Sequence, residues 1–131
     1  MVSHMNRPYL TIAAWFGAAA VALGAFGAHG LKQALADVDD GHARLSWWST
    51  AASYHLAHAL ALGLASACAG DGRAARVSRL GFALGIALFS GSLYAMALTG
   101  PSALGMVTPI GGALLIVGWL ALGLAVRKGA P

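Results

Sequence analysis

The chain has 131 residues, of which 59% are hydrophobic and only 9% charged: eight Lys or Arg, four Asp, and a formal net charge of +4. A soluble domain carries about 25% charged residues, and here residues 8–31, 45–70 and 80–126 carry none. That excludes a soluble globular domain and a disordered chain. It leaves an integral membrane protein, because a bilayer core of roughly 30 Å takes about 20 helical residues.

In chain order, Met1-Val-Ser-His-Met5 reads as an added or upstream segment with Met5 as the initiator, so His4 enters no site. Arg7 opens the first apolar run, predicted to span Tyr9 to Gly30. Ala20-Val21-Ala22 imitates a signal-peptidase site, but the run continues to Leu31, longer than a usual signal h-region. It is therefore read as a retained span. Ala20, Gly24 and Ala28 put small residues at every fourth position, the pattern that lets membrane helices approach closely.

The only long connection follows. It carries Asp37, Asp39 and Asp40, then His42, Arg44 and the pair Trp47-Trp48. Two Trp just before a span read as an interfacial belt, and Gly41 to Ser49 fits a short helix lying on the membrane surface. The second span is predicted from Thr50 to Ala69, with Cys68 as a small buried hydrophobe. The single cysteine excludes a disulfide framework and a cysteine zinc cluster. The third span runs from Leu80 to Leu98 and includes the G-x-x-x-G of Gly81 and Gly85, read as packing within one subunit. Gly100-Pro101-Ser102 marks a turn, and the fourth span runs from Met106 to Val126. The fold class is thus all-α, an integral membrane four-helix up-down bundle forming a single transmembrane domain over residues 1–131.

Four spans put both termini and the second connection on one side, together with Arg7, Arg73, Arg76, Arg79, Arg127 and Lys128. The other side has only Lys32 and Arg44. Positive residues accumulate on the cytoplasmic side, which orients both termini there. The same flanking placement explains the basic balance without nucleic acid, since no basic stripe interleaves with aromatics.

That topology assigns each intramembrane polar residue a depth. His29 ends the first span. His55 and His58 lie roughly 8 and 12 Å below the outer end of the second. Ser90, Ser92 and Tyr94 fall in the outer half of the third, and Thr108 and Pro109 begin the fourth. Polar groups in a bilayer cost free energy unless paired, so this layer is the candidate site. Its residues are His29, Tyr54, His55, His58, Ser90, Ser92, Tyr94 and Thr108. Three uses are open. Imidazole can pair with Tyr94, Ser92 or Thr108 and fix the bundle. The layer can line a polar cavity. Or His55 and His58, at i and i+3 on one face, can join His29 as ligands of a metal or haem. Met96 and Met106, near the same height, would suit Cu(I). Ser90 and Ser92 are weak hydrolase candidates, because no acid in the spans could orient a histidine base.

The segments Gly24-Ala-Phe-Gly-Ala-His29-Gly-Leu-Lys32, Trp48-Ser-Thr-Ala-Ala-Ser-Tyr54-His55-Leu-Ala-His58-Ala-Leu-Ala-Leu62, Phe89-Ser-Gly-Ser-Leu-Tyr94 and Thr108-Pro109-Ile-Gly-Gly112, followed by Gly118-Trp119, resemble the domain of unknown function 423 family. That family includes animal transmembrane protein 256. The resemblance implies a four-span inner-membrane protein and supplies no reaction. Its motif residues carry over to His29, Tyr54, His55, His58, Ser90, Ser92, Tyr94, Thr108 and Pro109.

With no nucleophile, carboxylate dyad or cofactor motif, the expected function is non-enzymatic. The chain would bind or pass a small solute or lipid through the polar layer, or serve as an accessory subunit of a larger membrane complex. The alternative is a metal- or haem-binding membrane protein using His29, His55 and His58. No cofactor is expected under the first reading. The bilayer is the expected partner, with a homo-oligomer or larger membrane complex compatible with it.

Overall fold

The computed structural model describes residues 5–128. The reading of residues 1–4 as an added segment lies outside them. Among the described residues the chain is all-helical, with four long helices and no strand: α1 (Arg7–Phe26), α2 (Gly41–Cys68), α3 (Arg73–Thr99) and α4 (Thr108–Lys128). The lower end of the molecule holds the start of α1, the end of α4 and the α2–α3 connection. The upper end holds the other two connections.

Local chemistry sets the ends of these helices. Asn6 Oδ1 accepts the Tyr9 N–H at 3.3 Å, and Pro8 occupies the first turn, where a missing N–H costs nothing. The Asn6 N–H donates to Ser66 O at 2.9 Å, fastening the start of α1 to the end of α2. Gly70 follows α2 with φ +67°, a left-handed cap that glycine adopts without a Cβ penalty. Gly100 ends α3 in a different way, at φ +95° and ψ 177°, an extended positive-φ conformation that is essentially glycine's alone. A 3-10 turn, Ala103–Met106, then leads into α4.

α1 does not stop at Phe26. It widens into a π turn, Gly27–Leu31, and tightens again over Lys32–Ala34. The cause is visible in α2. Trp48 donates its indole Nε1–H to Leu23 O at 2.7 Å, competing for a carbonyl that a regular helix uses itself. A side chain also inserts there, because a Cβ on Gly27 would lie 2.4 Å from Trp48 Cδ1. Such widened turns arise where a neighbour intrudes on the helical ladder.

Three predicted features are corrected here. Gly41 to Ser49 is no separate surface helix: it forms the first turns of α2, because no breaker interrupts the run from Gly41 to Cys68. Trp48 is not in an interfacial belt. It is 3% exposed, with its ring 5.4 Å from Phe26 and 4.6 Å from Tyr94. Cys68 is exposed, not buried, because it lies with Ala67 on the outward face of the last turn of α2, whose inward face buries Ala65 and Ser66.

Among the described residues three helical segments are long and apolar enough to cross a membrane: Arg7–Ala34, Arg73–Thr99 and Ala103–Arg127. α2 is long enough, but Tyr54, His55, His58 and its serines dilute its apolar character. Packing follows chain order, α1 on α2, α2 on α3 and α3 on α4, with little direct contact between α2 and α4. Two apolar clusters result. The lower includes Leu62, Ala65, Phe82, Ile86, Leu115 and Leu122, and the upper comprises Leu31, Leu35, Trp48 and Ala97. The polar layer lies between them.

Candidate functional site

α2 positions the two central imidazoles. His55 is 6% exposed. Its Nδ1 shares a hydrogen bond of 3.1 Å with the Tyr94 hydroxyl of α3, and Phe16 of α1 meets its ring edge-on at 5.6 Å. His55 Nε2 is buried with no partner among the described residues. One helical turn lower, His58 Nδ1 donates to Tyr54 O at 2.7 Å. A carbonyl only accepts, so the proton of neutral His58 sits on Nδ1 and its lone pair on Nε2. Its ring stacks on Tyr54 and lies about 6 Å from those of Phe82 and Trp119. The i, i+3 spacing therefore gives two different surroundings: α1 and α3 around His55, α3 and α4 around His58.

The serine hydroxyls that α3 contributes to this layer are committed to other helices or to their own. Ser90 Oγ donates to Ala51 O of α2 at 2.8 Å. Ser92 Oγ bonds Phe89 O at 3.0 Å and Thr108 Oγ1 of α4 at 2.6 Å. Neither hydroxyl bonds an imidazole among the described residues. Tyr54 is 45% exposed on α2. His29 is exposed on the π turn. Met96 is buried, whereas Met106 is 77% exposed. The structure thus joins His55 to Tyr94, Ser92 to Thr108 and Tyr54 to His58. It does not join His29 to any of them.

No group of three or more His, Cys, Asp or Glu among the described residues is arranged to hold a metal ion. The trio His29, His55 and His58 therefore forms no three-ligand set for a metal ion. Equal expected depth says nothing about position around the helix axis, and His29 stands apart from the other two imidazoles on the exposed π turn.

Two arginines that sequence reasoning treated only as topology signals are structural fasteners. Arg44, near the start of α2, donates Nε–H to Ala97 O at 2.8 Å and Nη2–H to Leu98 O at 2.5 Å, at the end of α3. Arg79, 1% exposed, does the converse at the lower end. Its Nη1 donates to Gly70 O at 2.8 Å and Ala65 O at 3.4 Å, at the end of α2. Each places a cation at the carbonyl-rich C-terminal end of an antiparallel neighbour, where the helix dipole is negative. Each also has a carboxylate nearby: Asp40 at 3.6 Å from Arg44 and Asp71 at 3.5 Å from Arg79. Arg79 further lies over the Tyr9 ring at 5.8 Å. The available signal was position: each arginine is the last charge before a long apolar run.

The open space lies elsewhere than in the polar layer. A hollow of about 410 Å³ opens in the upper half between the π turn and α2. Gly24, Gly27 and Ala28 form one wall, Trp48, Ser49, Ala52 and Ser53 the other, and Lys32 stands among them. Below it, a second hollow of about 540 Å³ runs between Leu10, Ala14, Gly17 and Val21 of α1 and Leu56, Ala59 and Gly63 of α2. His55, His58 and Tyr94 line neither.

A family model described as "Protein of unknown function (DUF423)" matches residues 23–112, from the π turn through the Thr108-Pro109-Ile-Gly-Gly112 segment. The chain belongs to this family. It is 42% identical over 119 residues to a UPF0382 membrane protein of Haemophilus influenzae, covering 90% of this chain and 92% of the relative. It is 43% identical over 113 residues to the UPF0382 membrane protein YwdK of Bacillus subtilis, covering 83% and 87%. It is 41% identical over 119 residues to the UPF0382 inner membrane protein YgdD of Escherichia coli, covering 87% and 85%. No solved structure matches it. In this DUF423 chain the matched region contains the polar layer, both arginine fasteners and the upper hollow.

Proposed function

We propose that this DUF423 chain is a four-span inner-membrane protein, both termini cytoplasmic, that binds a lipid-like amphiphile between α1 and α2 without catalysing a reaction. The observation that carries this is the upper hollow, about 410 Å³ and open at the side of the molecule. Ligand sites have volumes of roughly 300–1,000 Å³, with mostly apolar walls and a few polar groups. This one has Gly and Ala on its floor and Lys32, Ser49 and Ser53 at its edge.

The polar layer then has a structural role. Ser90, Ser92, Thr108 and Tyr94 are engaged in bonds that hold α2, α3 and α4 together. That engagement supports a non-enzymatic reading, since a nucleophilic serine needs a base beside it. Span number and orientation rest on the six basic residues of the lower end against two at the upper, and on length: α2 spans about 42 Å, ample for a bilayer.

Two measurements test the reading. A phospholipid carrying a photoreactive acyl chain, incorporated with the protein into bilayers, is expected to label peptides of α1 and α2 well above those of the α3–α4 contact. Uniform labelling of all four helices would remove the binding role. For orientation, Cys68 is the one cysteine and lies exposed at the lower end. An impermeant maleimide should react with it in inverted vesicles and not in intact cells, and the reverse pattern would overturn the topology.

A further inference from the structure

The two hollows lie one above the other between α1 and α2, and we take them together as one groove. On α1 the lining includes Leu10, Ala14, Gly17, Val21, Gly24 and Ala28, spaced alternately four and three residues apart. On α2 the lining includes Leu45, Ser49, Ala52, Leu56, Ala59 and Gly63, with the same alternation. That spacing keeps a stripe on one face of each helix. The groove is also open where its composition would let it close. A Cβ on Gly17 would meet nothing within 4 Å, and one on Gly24 or Gly63 would make only ordinary contact.

Its two ends differ chemically. The lower part is walled by Ala, Gly, Val and Leu. The upper part ends at Lys32, which is exposed and makes no hydrogen bond or ion pair among the described residues. Arg44, the other Lys or Arg of this end, is occupied by Ala97 O, Leu98 O and Asp40. The hydroxyls of Ser49 and Ser53 stand beside the same hollow. Asp37 and Asp39 lie exposed on the turn just after Lys32, so the local field suits a head with one negative charge and opposes one with several.

We propose that the groove holds a phospholipid with a monoanionic phosphodiester head, its phosphate beside Lys32 and one acyl chain along the small-residue stripe. The assignment rests on the amphiphile-binding role given above and adds the class of head group. Lys32 supplies a compact cation for the phosphate, and Ser49 and Ser53 supply hydroxyl donors. The glycines and alanines provide the width that a chain needs and that a leucine-lined seam would fill.

The test uses the full chain in bilayers of equimolar phosphatidylglycerol and phosphatidylethanolamine, followed by gentle release and native mass spectrometry of retained lipid. Wild-type protein should retain phosphatidylglycerol in at least fivefold excess. Lys32→Gln should bring that ratio to about one while total retention holds, and Lys32→Arg should restore the excess. Gly24→Leu with Ala52→Leu should reduce retention of both lipids, with helical circular dichroism unchanged as the check on folding. A Lys32→Gln protein that keeps the excess would overturn the proposal, as would preferential retention of free fatty acid or a lipid-free dimer. Equal retention of the two lipids by wild type would remove the anionic-head assignment and leave amphiphile binding standing. No retained lipid of either class would remove both.

Discussion

The α3–α4 seam and the α1–α2 seam are both lined with glycine and alanine, and they end in opposite states. Between α3 and α4 the backbones meet. A Cβ on Gly111 would lie 2.3 Å from Phe89 N, one on Gly81 2.9 Å from Leu114 O, and one on Gly118 2.8 Å from the Phe82 ring. Between α1 and α2 the same residue types face open space at Gly17 and loose contact at Gly24 and Gly63. Small residues are thus permissive. They allow helices to close, and what closes them is a complementary surface opposite. α4 brings Leu115 and Gly118 against the Gly81–Gly85 face, and Phe82 packs into the same contact. α1 is held off α2 at its upper end by the Trp48 indole wedged against Gly27. The result is one structural seam and one groove made from nearly the same composition.

The contrast can be broken, and the largest effect should come from the closed seam. Gly111→Ala puts a methyl into backbone that cannot rotate away, so α3 and α4 must separate. A loss of about 3 kcal/mol is expected, at the high end for overpacking, read by steric trapping or denaturant titration in bicelles. A loss below about 1 kcal/mol would show that the seam yields more readily than its geometry implies. Arg79→Met keeps the length of the side chain and removes its donors to Gly70 O and Ala65 O. A loss of about 2 kcal/mol is expected, since bonds from a charged donor contribute roughly 1.5–3 kcal/mol. It should appear first as faster amide exchange at the end of α2.

Smaller effects should belong to the open seam. Trp48→Phe removes the bond to Leu23 O and should cost about 1 kcal/mol. Exchange at Gly27–Leu31 should slow if the π turn then regularises to α-helix. Gly17→Ala is expected to change stability by no more than about 0.5 kcal/mol, or to stabilise, because helix propensity favours Ala and no neighbour objects. Measured side by side, Gly111→Ala and Gly17→Ala give the difference between the seams in one experiment.

The helices were largely legible in the residues. Charge scarcity bounded the apolar runs, and Gly100-Pro101-Ser102 marked the turn that divides the longest of them. The long upper extension of α2 was not legible, because Asp39-Asp40-Gly41 resembles the end of a loop and Trp47-Trp48 resembles a belt. Burial of Trp48 among Phe26, Leu23 and Tyr94 decides otherwise, and those partners come from helices far apart in sequence. In the polar layer, the pairs His55–Tyr94 and Ser92–Thr108 agree with equal depth. His29 is exposed on the π turn and meets none of them. The arginine fasteners were countable as charges and invisible as contacts, because a side chain's reach to a neighbouring helix end depends on how the two helices pair.

What the chain by itself determined is its solvent. Charged side chains are costly in hydrocarbon, so their absence from three long runs marks a membrane protein. What only the tertiary structure decided is which of its polar groups meet, and which of two similar small-residue faces closes. Those outcomes depend on rotation about each helix axis and on single wedges such as Trp48, neither of which a spacing pattern along one helix contains.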